Sequence, residues 1–218
     1  PQAEKKKTTY EEYAEQGKFD NLTATEGAND TLIVTATYKL SSLQKAEWHI
    51  APDGGARLVY SYIFNGVVDL MGVKFDLPET EVKHKEWLGC GPYRVWKNRI
   101  HGPQLGVWAN DYNDPVPGES FDYPEFKGYF AGVQWMKLQT KTGMITICPG
   151  TDKDYVGVYQ PRDGRDQLLY TLPETGISMM QVIPAVRNKV NTTDLNGPSA
   201  QPVWANGSYT GEVTLHFD

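Results

Sequence analysis

The chain is poor in the residues that most often build a chemical centre. It has two cysteines and four histidines in 218 residues. Cys90 and Cys148 lie far apart without a metal-binding spacing, and His49, His84, His101 and His216 are scattered in the same way, so no metal is expected. The two are expected as buried or half-buried thiols, with a disulfide as the alternative. No apolar run approaches the ~20 residues that cross a bilayer, so no membrane span is expected. No G-x-S-x-G elbow, phosphate loop or dinucleotide fingerprint occurs, and "GCG" at 89–91 is too short to be a nucleotide motif, so no cofactor is implied. Cations are also scarce relative to anions. A formal charge of −6 argues against nucleic-acid binding, which rests on clustered Lys and Arg. The run Lys5–Lys7 is read as a solvated stretch. No signal peptide is visible, and the opening "PQAEKKK" reads as a mature protein or an excised fragment. A secreted or periplasmic location is favoured over a cytoplasmic one.

Glycine and proline, by contrast, are plentiful, at 21 and 14. Such numbers suit many short strands joined by turns. One helix start is readable at 9–16, "TYEEYAEQ", with Thr8 or Thr9 as cap, Glu11 and Glu12 in the first turn and Gly17 as stop. Residues 1–27 are therefore read as a polar N-terminal segment carrying a short helix. From residue 28 the period becomes two. "DTLIVTATYKL" puts Leu32, Val34, Ala36, Tyr38 and Leu40 on one face. "ARLVYSYIF" repeats the pattern with Leu58, Tyr60, Tyr62 and Phe64 after the hairpin turn "PDGG". "GVKFDLP" adds Val73, Phe75 and Leu77. "VQWMKLQTKTGMITICP" reads as a hairpin closed near Lys141–Gly143, and "YVGVYQP" and "GISMMQVIP" as short strands. In "SYTGEVTLHFD", Tyr209, Val213, Leu215 and Phe217 face one way and Thr210, Glu212, Thr214 and His216 the other. Residues 28–218 are thus expected to form one large antiparallel β-sandwich. Four Asn-x-Ser/Thr sequons, at Asn21, Asn29, Asn191 and Asn206, are expected to mark exposed turns.

Residues 98–128 are expected to break this rhythm as a long excursion rich in glycine, proline and aromatics, and loops of that length tend to be functional. The stretch 87–129 interleaves nine aromatic rings with polar and charged side chains. Sugars present apolar C–H faces and hydroxyls, so the mixture suits a carbohydrate surface. Trp87 continues a strand pattern and is assigned to the core, while Trp96, Trp108 and Tyr112 lie off the alternation and are assigned to contact. Glycoside hydrolysis needs two carboxylates about 5 to 10 Å apart. Glu119, Asp122 and Glu125 are close in sequence, but no spacing rule makes two of them a catalytic pair, and no catalytic residue is assigned.

The segment "EWLGCGPYRVWKNR", residues 86–99, resembles an element of the C-terminal, small-chain domain of glycoside hydrolase 2 type β-galactosidases. That domain is a supersandwich similar to galactose mutarotase. "NDTLIVTATYKL", "EWHIAPDGGARLVYSYIF" and "LMGVKFDLPETEVKHKEWLGCGP" look like successive strands of it, "YPEFKGYFAGVQWMKLQTKTG" like its later loop and strand, and "SYTGEVTLHFD" like its closing strand. The resemblance covers roughly 28–218. It implies a non-catalytic domain that shapes or supports the sugar site of a parent hydrolase, whose glutamates stand on a separate catalytic barrel. The implied partners are that barrel domain and a β-galactoside or related glycan, with homo-oligomerisation left open. The residues carried over as carbohydrate-binding are Tyr93, Arg94, Trp96, Arg99, Trp108, Tyr112 and Glu125.

Three departures accompany the resemblance. A polar segment stands where the family has further strands before residue 28, so the sandwich is read as open to lacking its first strands. A family element recurs only in altered form as Pro124, Glu125 and Gly128. The late stretch "IPAVRNKVNTTDLNGP" holds no tryptophan, and Trp204 follows it. The alternative functions are a free-standing carbohydrate-binding module and an aldose-epimerase-like enzyme using His101 with Glu119 or Glu125 as acid and base.

Overall fold

A computed structural model describes residues 8–9, 18–111, 127–159, 170–171, 175–186 and 197–218. Its strands are β1 (Thr8–Thr9), β2 (Lys18–Glu26), β3 (Leu32–Lys39), β4 (Leu43–Ile50), β5 (Ala56–Val68), β6 (Met71–Phe75) and β7 (Val82–Val95). They continue as β8 (Gln104–Asp111), β9 (Tyr129–Thr140), β10 (Met144–Pro149), β11 (Tyr155–Gly157), β12 (Tyr170–Thr171), β13 (Ile177–Val182) and β14 (Val203–Phe217). Among the described residues there is no α-helix, only short 3-10 turns. Apart from a two-residue parallel pairing of β1 with β12, every ladder is antiparallel, and the fold class is the expected one.

The turns are the ones the side chains dictate. Between β4 and β5 the Ala51 N–H donates to Gly55 O at 2.8 Å, Asp53 Oδ1 accepts from the Gly55 N–H at 2.9 Å, and Gly54 takes the left-handed backbone that favours glycine. The hairpin between β9 and β10 closes where Thr140 N–H and Oγ1 both donate to Gly143 O.

One broad layer runs β2-β3-β4-β5-β14-β10-β9-β7-β8. Strand β9 serves two sheets. It pairs with β10 through its later residues and with β7 at both ends, while Phe130 near its start also pairs with Val156 of β11. From β11 the chain of pairings turns back as β11-β13-β6, a narrow second layer. Two contacts show this layer folding over the first: Trp48 of β4 meets Phe75 of β6 at 5.6 Å between ring centroids, and Tyr62 of β5 donates to Gln181 Oε1 on β13. The main core lies between them, built from Leu58, Tyr60, Trp87, Met136, Ile147, Met179 and Val213. Trp87 is fully buried, as its place in the alternation predicts, and meets Phe130 edge-on.

This core also encloses polar groups. Asp154 is buried with one carboxylate oxygen unbonded, beside Tyr60, whose hydroxyl is unbonded as well. Burial pushes the Asp154 carboxyl above the ordinary carboxylate range. Cys90 and Cys148 are half-buried free thiols, as expected.

Two expectations need correction, and one falls on residues that are not described. The sheet starts ahead of residue 28: β2 pairs with β3 along its whole length, with a register shift between Phe19 and Asn21 that breaks the readable alternation. The helix placed at 9–16 falls outside the described residues, except that Thr9 belongs to β1. The excursion 98–128 is not a loop throughout, since β8 occupies Gln104–Asp111 and pairs with β7. At the strand ends, Leu40 and Phe217 are exposed, Leu40 with a left-handed φ of 57°. Of the sequons, Asn21 and Asn206 sit exposed in strands rather than turns, Asn29 is exposed in a 3-10 turn, and Asn191 lies outside the described residues.

Candidate functional site

The glycines of "EWLGCGPYRVWKNR" lie inside β7, and their role is to seat an indole. Trp108 of β8 lies across Gly91: a Cβ placed there would sit 2.5 Å from Trp108 Cδ1, far inside van der Waals contact. Gly106 would meet the same ring at 3.2 Å. The Trp108 indole N–H donates to Gly89 O at 3.2 Å and to Gln104 O at 3.3 Å. Trp108 therefore spends its polar edge on the β7–β8 hairpin and stays half-buried against the core. The peptide bond Gly91–Pro92 is cis.

On either side of Pro92 the strand turns one cation inward, Lys85 before it and Arg94 after it. Arg94 is 3% exposed, donates to Tyr159 O at 3.2 Å and stands over the Tyr159 ring. Lys85 stands over the same ring and donates to Asp111 O at 2.9 Å. Burying a charge requires partners of this kind, here carbonyl oxygens and an aromatic face. Arg94 is accordingly a structural residue and not the saccharide contact expected of it. Trp96 needs the same correction: it is 1% exposed and packs with Val186 and Leu70, because the hairpin end is roofed by a segment ninety residues later in the chain. Tyr93 is half-buried with its hydroxyl beside Gly102, and Arg99 is exposed. Tyr112 and Glu125 lie outside the described residues, as do Glu119 and Asp122.

What the structure brings together is one end of the sandwich. The β7–β8 hairpin turns at 96–99, where the Arg99 N–H donates to Trp96 O at 2.8 Å. The Asn98 side chain clips this turn to the late segment as a strand would, donating to Val186 O at 2.8 Å and accepting from the Val186 N–H at 2.9 Å. The Lys97 N–H donates to Pro184 O, and Lys97 Nζ donates to Gln201 O just ahead of β14. The same ammonium acts on half-buried Asp69, in the link between β5 and β6. Burial raises the Asp69 carboxyl above its ordinary range, and Lys97 opposes that rise. Around this rim Arg99, His101 and Trp204 are exposed.

Four chain segments thus meet at one polar, aromatic end. Among the described residues no cluster of His, Cys, Asp or Glu could hold a metal. Of the residues expected at a saccharide, the structure brings Arg99 to this rim and sends Arg94 and Trp96 inside. It adds Asp69, Lys97, Asn98 and Trp204, which sequence reasoning missed. For Trp204 a signal existed: extending the outward set Thr210, Glu212, Thr214 two-by-two toward the N-terminus arrives at Ser208, Asn206 and Trp204. For the other three the deciding contacts are too distant in sequence to be read.

Among solved structures, a galactose mutarotase related enzyme from Lactobacillus acidophilus is similar at 8% identity, over 91% of this chain and 71% of that one, with a TM-score of 0.36. No curated protein matches. The family model described as beta galactosidase small chain matches residues 2–185, which include β2 to β6, the β7–β8 hairpin and Asn98. The chain belongs to the beta galactosidase small chain family.

Proposed function

We propose that this chain is the non-catalytic small-chain domain of a glycoside hydrolase 2, β-galactosidase-like enzyme, and that its rim at 96–101 and 201–204 helps shape and support the sugar site. Bond cleavage falls to a catalytic barrel elsewhere in the parent enzyme. That barrel alone needs ~200–250 residues, more than a chain already committed to fourteen strands can supply. The observation carrying this reading is the family match over most of the chain, joined to a rim that is polar and aromatic without a metal cluster among the described residues. The chain alone, offered an aryl β-galactoside, is expected to release no more phenol than buffer. Turnover above that blank would make it an enzyme in its own right and end the accessory assignment.

A further inference from the structure

Beyond the last pairs with β4 (Leu43 with Tyr62) and with β10 (Pro149 with Val213), β5 and β14 continue, among the described residues, as a two-stranded ribbon whose base is tied by the Ile63 N–H donating to Ser42 O at 2.9 Å. Three outward pairs run along it: Ile63 with Ser208, Asn65 with Asn206, and Val67 with Trp204. All six side chains are exposed, and Trp204 is 71% exposed where each of the other tryptophans is buried or half-buried. The ribbon's other face is turned to the molecule, with Ala205 buried. We propose that this outer face is a binding subsite for a neutral saccharide, with Trp204 as the stacking platform and Asn65 and Asn206 as the hydroxyl-reading groups.

The chemistry selects the ligand. A pyranose offers an apolar C–H face, which an indole covers, and a ring of hydroxyls, which planar amides read as donors and acceptors at once. Both occur here at adjacent outward positions, one strand pair apart, a spacing of about 7 Å that a single sugar ring spans. None of the six side chains is charged, which suits a neutral ligand and leaves an anion nothing to pair with. The amides are also held in advance. Asn65 Oδ1 accepts the Gly207 N–H at 2.9 Å, which fixes the plane of that amide, and the Asn206 N–H donates to the Tyr209 hydroxyl at 2.9 Å, which fixes the backbone from which the second one springs. A platform ordered before binding loses less entropy on binding. The subsite adjoins the rim through Gln201 and rests on the saccharide reading of that rim.

The test follows the six indole N–H resonances in a nitrogen–proton spectrum while the chain is titrated with lactose, then with a neutral β-galactan oligosaccharide, and with glycerol as control. Trp204→Ala identifies its resonance, and because the ring is exposed the variant keeps the wild-type melting temperature. The expected result is a saturable shift of the Trp204 signal, with the buried Trp87 and Trp96 signals unmoved. Asn206→Ala and Asn65→Ala are each expected to weaken the affinity about 3- to 10-fold, the value of one hydrogen bond. A Trp204 signal unmoved by either saccharide overturns the proposal, as does a shift that both asparagine variants leave intact. Self-association by sedimentation that is abolished by Trp204→Ala, without a saccharide shift, also overturns it and assigns the face to a second copy. Hydrolysis of the aryl galactoside is read separately, so the loss of one conclusion leaves the other standing.

Discussion

The middle of the sheet and its β2–β3–β4 wing share the same antiparallel pairing, yet they live in different environments. In the middle, β5, β14, β10 and β9 send Tyr60, Val213, Ile147 and Met136 against the second layer, and along β5 burial alternates from Leu58 to Tyr62. In the wing no residue of β2, β3 or β4 is buried, and β2 is exposed along all nine positions. The inward row of the wing is nonetheless apolar, with Leu22, Ala24, Val34, Ala36 and Trp48. The difference is one of coverage. The second layer is three strands wide and ends at β6, whose Phe75 reaches only as far as Trp48, so β2 and β3 overhang it. An apolar face alone does not make a core; a facing layer does.

Substitutions can test that contrast, and the core should respond most. Trp87→Ala, which empties the space against Phe130, is expected to cost about 3–5 kcal/mol in urea unfolding. A loss below 1 kcal/mol would mean that the middle is no better packed than the wing. Gly91→Val drives a side chain into the Trp108 ring and is expected to cost about 1–3 kcal/mol. An altered Trp108 fluorescence should accompany that loss.

Two acids separate the regions by sign. In the core, Asp154 keeps its proton when folded at pH values where the unfolded chain, titrating near 3.8, has released it. Its contribution therefore turns unfavourable as pH rises from that value, and Asp154→Asn should flatten the slope and raise stability at neutral pH. In the wing, Glu47 is held below its ordinary 4.5 by hydrogen bonds first to His49 and then to Lys45. Its contribution is present above that value and is lost as pH falls through the lowered one, so Glu47→Gln should remove a small acid-side loss. Urea midpoints taken from about pH 3 to 7 for both variants check the pair of signs. Equal slopes would erase the distinction. The smallest effect belongs to Leu22→Thr on β2, expected within about 0.5 kcal/mol of the parent by the same measurement.

Hairpins, the closing strand and the burial of Trp87 were legible because each depends on neighbours in sequence: a two-residue period, a turn glycine, a side-chain cap. Strand β2 was hidden by its register shift and by threonines, asparagine and charged residues on an uncovered strand, where selection for apolar alternation is weak. Strand β8 was hidden by its own glycine and by an indole that looked out of register until its seat on Gly91 was seen. Arg94 and Trp96 read as surface groups because arginine and tryptophan beside a turn usually meet solvent. Their partners, Tyr159 and Val186, are separated from them by dozens of residues, and no local pattern encodes that meeting. The candidate site suffered most, since it consists almost wholly of such long-range meetings.

Strand β14 stands between the two halves of the broad layer, with thirteen register pairs to β5 on one side and five to β10 on the other. Remove it and, among the described residues, the four-strand meander from β2 to β5 shares no ladder with the block that begins at β10. The molecule therefore cannot mature as a growing edge, strand after strand in chain order: a central plank is inserted between parts already made. Such a topology ties the assembly rate to closing a loop of more than a hundred residues, and the halves become a single cooperative body at that step.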